Sequence, residues 1–292
     1  MDIENKTQET PASEQLKDSN AIFNAFKKEF STTVNVIMVN SAEKEYHFRD
    51  VTVNEQKTLS KTSIQNEARK DIIYDTQCQL INTLCLDKGF NVYSLTEFDR
   101  IKILMMLYQN NFQKNEIKYK CTECGAENIY TVDFQKIIDK LDKFDLSDDV
   151  FTAEDGRKIF KFTINYPLVR SVSNFYKDYM KKYKGKSKME MEILDNLGNV
   201  DYINLYIRRV EMIDKNDPND RVQADLSLMT YQETEKFIDM FPQNVILDED
   251  NGVIGYITSK FINKLNKVFE YENCPQCGAP TNQGIGSLQD FF

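Results

Sequence analysis

The chain has no tryptophan and a single histidine, His47, among 292 residues. His47 sits in a presumed strand beside Phe48 and reads as a partly exposed strand residue rather than a base. Without further histidines, Ser-His-Asp and Cys-His nucleophile systems are nearly excluded, and a His-Glu-x-x-His metal site, which needs two, is absent. With only 10 glycines and 6 prolines, there is no glycine-rich loop followed by lysine to cradle phosphates and no dinucleotide fingerprint. Long apolar runs are missing too; none approaches the ~20 residues that span a bilayer. The start, Met1-Asp2-Ile3-Glu4-Asn5-Lys6, lacks the basic and apolar stretches of a secretory signal, so an intracellular, cytosolic chain is expected. Basic charge is outweighed, with 37 Lys and Arg against 46 Asp and Glu and a net charge of −9. A surface of that sign attracts neither nucleic acid nor an anionic membrane at long range. Carboxylates are abundant, yet nothing marks two of them as an acid–base pair. No catalysis and no small-molecule substrate are expected.

What remains is globular. Hydrophobic residues make up 41%, enough for a real core, and the length suits two domains. The densest basic stretch carries Lys177, Lys181, Lys182, Lys184, Lys186 and Lys188; it reads as a solvated helix end and loop.

Residues 1–20 are polar, without hydrophobic period, and read as a disordered tail. An N-terminal α+β region is expected over 21–145. It begins with a short helix at Ala21–Phe30, then a β-hairpin of Thr32–Val39 and Glu45–Val51 across the polar turn Asn40–Lys44. Thr52 and Glu55 fit a capping box, and so do Ser94 and Glu97. Tyr74, Cys78, Ile81 and Cys85 share one helical stripe, which makes Cys78 and Cys85 core residues. Phe98 to Tyr108 is apolar almost all round and predicts a central helix, with Met105 and Met106 as packing. Strand-like alternation flanks the first cysteine pair, and Phe134–Phe144 reads as a helix. The acidic stretch Asp145–Asp155 reads as a linker. Beyond it a mainly helical insertion is expected over 146–265. Its only strand is Arg157–Tyr166, followed by helices at Val169–Tyr183, Asp201–Ile213, after the Thr230/Glu233 capping box, and at Gly252–Leu265. Residues 266–292 should carry an extended Lys267–Glu272, the second cysteine pair and a C-terminal tail.

Six cysteines in a reducing compartment do not make a disulfide framework. Four of them form Cys121-Thr122-Glu123-Cys124-Gly125 and Cys274-Pro275-Gln276-Cys277-Gly278. Two cysteines three positions apart on a tight turn can face one ion, and the following glycine takes the positive φ the turn needs. Two such knuckles supply four thiolates, the donor set of a structural zinc ion whose closed shell leaves no place for water or substrate. Between Cys124 and Cys274 lie 149 residues, positions 125–273, far beyond the usual ribbon spacing. Each pair could instead bind metal separately or bridge two subunits, act as a redox dithiol, or be merely buried. Iron suits the same donors. The favoured expectation is an α+β chain, mainly helical, whose bipartite zinc-ribbon-like module joins Cys121, Cys124, Cys274 and Cys277.

The run Phe48-Arg49-Asp50-Val51-Thr52-Val53-Asn54-Glu55-Gln56-Lys57-Thr58-Leu59 is followed by the cysteine-bearing Ile81–Leu86, then Ser94-Leu95-Thr96-Glu97-Phe98-Asp99. After the apolar helix ending near Phe112 come Glu116-Ile117-Lys118-Tyr119-Lys120-Cys121, and later Cys274-Pro275-Gln276-Cys277-Gly278 with Leu288-Gln289-Asp290-Phe291-Phe292. In order and spacing these resemble the baseplate hub proteins of T-even-type contractile-tailed phages, a group of hub subunits and hub-assembly factors. The resemblance covers residues 32–142 and the last 20 residues by pattern, and no middle motif matches. It implies a role in building the tail baseplate hub inside the infected host cell through contacts with other tail proteins; retention in the virion is left open. Phe291 and Phe292, at the end of a glycine-containing tail, could anchor in a partner's pocket or fold back on the chain itself. The alternative from another class is a nucleic-acid-binding zinc-ribbon accessory factor, which the acidic balance disfavours.

Overall fold

Alternation in the first hairpin sets its two faces. The computed structural model describes residues 34–66, 69–111, 116–184, 186, 201–248, 252–268 and 273–279. Strands β1 (Val34–Val39) and β2 (Lys44–Arg49) pair antiparallel, with Val34 opposite Arg49 and Val39 opposite Lys44. The period of two sends Ile37, Val39 and Phe48 inward, all fully buried. The expected helix at Ala21–Phe30 and the tail at 1–20 lie outside the described residues.

Helix α1 (Val53–Gln65) starts at the expected capping box: Glu55 N–H donates to Thr52 Oγ1 at 3.3 Å, and Thr52 N–H to Glu55 Oε2 at 2.9 Å. Helix α2 (Lys70–Leu84) buries Tyr74, Cys78 and Ile81 along one stripe, and Cys85 is half-buried just past its end. Both cysteines are packing residues, and burial pushes the Cys78 thiol up to about 12.

Helix α3 (Glu97–Asn111) is central, as its all-round apolarity predicts. Phe98, Met105 and Tyr108 enter one core, and Ile103, Leu104 and Leu107 the other. Its start differs from expectation. Ser94 and Glu97 form no capping box; Thr96 Oγ1 accepts the Asp99 N–H at 3.2 Å instead. The reason is tertiary. Glu97 N–H donates to Pro167 O at 2.7 Å, which fixes the chain there, and the Glu97 carboxylate turns inward to Arg100.

Strands β3 (Glu116–Lys120) and β4 (Glu127–Thr131) form a second hairpin. Asp133 then caps α4 (Phe134–Leu141), whose Phe134, Ile137, Ile138 and Leu141 are buried. This helix is shorter than the expected Phe134–Phe144.

The middle of the chain requires two corrections. The acidic stretch expected as a linker contains strand β5 (Asp149–Asp155), and Asp201–Ile213, expected as helix, supplies strand β7 (Ile207–Asp214). With β6 (Lys158–Ile164) and β8 (Arg221–Asp225) they make a four-stranded antiparallel sheet in the order β5-β6-β7-β8. Its inner rows are Phe151, Phe162, Val210 and Ala224, then Ala153, Phe160 and Met212, with Val222 in register beside Met212 but exposed. The middle therefore holds a four-stranded sheet, where a single strand was expected, alongside its helices. Helix α5 (Val169–Tyr183) connects β6 towards β7 and places Val172 in the core of the first hairpin. Helix α6 (Tyr231–Ile238) has the expected Thr230/Glu233 box. The short α7 (Gln243–Ile246) follows. Then α8 (Val253–Ile257) continues through a π turn, Thr258–Ile262, into α9 (Asn263–Asn266). One hydrophobic core joins α3 and α4 to the sheet and to these last helices, so it runs continuously across position 145.

Candidate metal centre

Each cysteine knuckle is built by the same local bonds. In the first, Cys121 N–H donates to Ala126 O at 2.9 Å and Gly125 N–H to Cys121 O at 2.9 Å. In the second, Cys274 N–H donates to Ala279 O and Gly278 N–H to Cys274 O, both at 2.8 Å. Gly125 and Gly278 have φ of 71° and 70°, the left-handed region that a Cβ disfavours. Two segments 150 positions apart thus fold into one turn, repeated.

The two turns face each other. All four sulfurs lie within 4.8 Å of one another. Cys121 Sγ is 3.8 Å from Cys277 Sγ, and Cys124 Sγ is 3.8 Å from Cys274 Sγ. A disulfide would need about 2.05 Å. A tetrahedron with metal–sulfur bonds of about 2.3 Å has edges of about 3.8 Å, so these spacings fit four thiolates around one ion. Cys121 and Cys274 are buried, whereas Cys124 and Cys277 face outward.

Electrostatics make the second knuckle unequal. Burial pushes the Cys274 thiol up, but the Cys277 and Gln276 backbone N–H groups and the neighbouring sulfurs outweigh it and bring it down to about 6. Cys277 gains a bond from the Ala279 backbone, yet burial and the sulfurs around it drive it up to about 12. One thiolate forms readily and the next is resisted by its charge. A dication among the four would relieve that repulsion.

Sequence reading missed Asn128, on β4. It is buried, and its Nδ2 donates to Cys274 Sγ at 3.5 Å and to Ala126 O at 3.2 Å. Strand parity was the available signal, since it puts position 128 on the same face as the buried Val132.

The remaining candidates resolve plainly. His47 is about half-exposed, and its Nδ1 lies 3.2 Å from Asp87 Oδ2, a surface pair. Lys177 reaches Asp75 at 2.6 Å, Lys181 reaches Asp178 at 2.6 Å and Lys182 reaches Glu235 at 2.9 Å, so this part of the basic stretch is compensated. Lys267–Glu272 is described only as far as Val268, and Phe291 and Phe292 lie outside the described residues. No helix among the described residues is long and apolar enough to cross a membrane.

Comparison with curated proteins and with solved structures gives no match. The family described as "T4 bacteriophage base plate protein" matches residues 31–292, which takes in the middle region where no motif was legible. By that match over nearly its whole length, the chain belongs to the T4 bacteriophage base plate protein family.

Proposed function

We propose that this chain is a baseplate hub structural or assembly protein that acts through contacts with other phage tail proteins, with a structural zinc ion on Cys121, Cys124, Cys274 and Cys277. The observation that carries the metal reading is the meeting of two sequence-distant knuckles at tetrahedral sulfur spacing. Closing a loop of about 150 residues instead of about 15 costs only about 2 kcal/mol more. Structural zinc supplies on the order of 10 kcal/mol, so the metal term wins. Four protein ligands leave no open coordination position, and the ion's work is to fix the geometry of two chain segments.

On this reading the protein is not an enzyme. It works in the host cytoplasm during assembly, and its place in the finished tail depends on whether it is retained. Metal analysis of the purified chain tests the site: about one zinc per chain is expected, lost in Cys274→Ser. Reduced, folded wild-type protein without metal would sink it. Co-purification with the other baseplate proteins of the same phage tests the assembly role, and association with none of them would refute it.

A further inference from the structure

The bond from Asn128 to Cys274 crosses between the knuckles. It ties a strand of the first knuckle to a cysteine 146 positions away. We propose that Asn128 is a positioning residue of the metal centre: its carboxamide holds the Cys274 sulfur against the first knuckle and moderates the charge on that ligand. The inference rests on the metal reading above and adds to it a residue outside the four ligands.

The physical case has three parts. Asn128 is 6% exposed, so its amide must find partners inside the protein. It spends both donors locally, on Ala126 O within its own knuckle and on Cys274 Sγ across the gap. Its side chain is therefore oriented by one knuckle and read by the other. Second, a hydrogen bond to a thiolate withdraws charge from sulfur, and outer-sphere donors of this kind orient ligands and tune the ion. Third, the contact joins the knuckles through protein atoms, so the second knuckle is directed towards the first without relying on the ion alone.

The test uses the full chain. Asn128→Leu removes both donors at nearly constant volume, and Asn128→Ser removes the reach of the side chain. In both variants zinc affinity, read by competition with a chromophoric chelator, should fall about 10–100-fold while stoichiometry stays at one ion. With cobalt(II) in place of zinc, the sulfur-to-metal charge-transfer band should move to lower energy, because the Cys274 thiolate regains donor strength. A purely structural residue would leave that band in place in folded protein. Wild-type affinity and band position in either folded variant overturn the proposal. A measurement without mutation guards against misfolding: in the cadmium-113 form of the unmutated chain, the Asn128 side-chain N–H should show scalar coupling to the metal through Cys274, and its absence overturns the proposal as well. Failure of the unmutated chain to bind any of these ions would instead overturn the metal reading itself, so the two failures are distinguishable.

Discussion

Cys124 Sγ and Cys274 Sγ approach to 3.8 Å across 150 positions of chain, and among the described residues neither joins the three hydrophobic clusters. The cores on either side of α3 close through their own apolar contacts. Stripping the metal with a strong chelator should therefore raise hydrogen exchange in residues 121–128 and 273–279 and leave β6 and β7 protected. Loss of protection throughout the sheet would show that the cores depend on the ion.

A second prediction concerns the charges inside α3. Arg100 donates from Nε and Nη2 to the two Glu97 oxygens at 2.9 and 2.5 Å, and from Nη1 to Gln77 at 3.0 Å. Its guanidinium also lies over the Tyr74 ring, whose hydroxyl bonds to Glu97. Arg100→Leu strands a buried carboxylate and should cost about 3–5 kcal/mol. Adding Glu97→Gln should restore part of it. Chemical denaturation with an unchanged m-value is the readout; a single substitution within experimental error of wild type would be incompatible with a buried pair.

The α1 start should carry a pH signature. Glu55 is held down to about 2, chiefly by its hydrogen bonds from Arg49, against an ordinary value near 4.5. Because the folded value is depressed, its stabilisation is fully present above the unfolded value and disappears as pH falls towards the folded one. Stability measured between about pH 4.5 and 2 should drop less steeply in Glu55→Gln than in the wild type. The pair is half-buried, so solvent screens it in part and damps the effect. Identical slopes would remove Glu55 from the acid response.

Phe98 should be among the costliest truncations in the fold. It is fully buried, and its ring centroid lies 5.2 Å from Phe144 and 5.3 Å from Tyr166. Phe98→Ala should cost about 3–5 kcal/mol. Leu228→Ala, at a side chain 82% exposed, should stay within about 0.5 kcal/mol. Thermal or denaturant unfolding separates them; comparable losses would contradict this placement of the core.

The C-terminal aromatics make the last prediction. Deleting residues 285–292 should weaken co-purification of baseplate partners while leaving metal content unchanged. Undiminished partner binding would refute the anchoring role of Phe291 and Phe292.

The middle of the chain shows where reading a sequence stops. The stretch Asp201–Ile213 has an apolar spacing compatible with a helix, yet from Ile207 onward it is a strand, because β6 offers a ladder in which Val210 lies beside Phe162. The acidic composition of Asp145–Asp155 reads as linker, but Phe151 and Ala153 of β5 point to the core, and Asp149, which shares their parity, is met by Tyr256 and Lys260. Propensity and composition are local, and pairing across a sheet is not.

What the sequence determined by itself is everything written in short-range chemistry. It contained the Thr52 and Thr230 caps, the buried stripe of α2, the apolar girth of α3, and two Cys-x-x-Cys-Gly turns whose glycines allow the left-handed backbone. Spacing along a chain says nothing about distance between turns that 149 residues, positions 125–273, separate. Only the tertiary structure brought the four sulfurs within 4.8 Å of one another, built the sheet in which one strand had read as helix and one as linker, and set Asn128 against Cys274. Those relations arise when cores pack and strands pair, and they are fixed by contacts between segments that carry no local mark of one another.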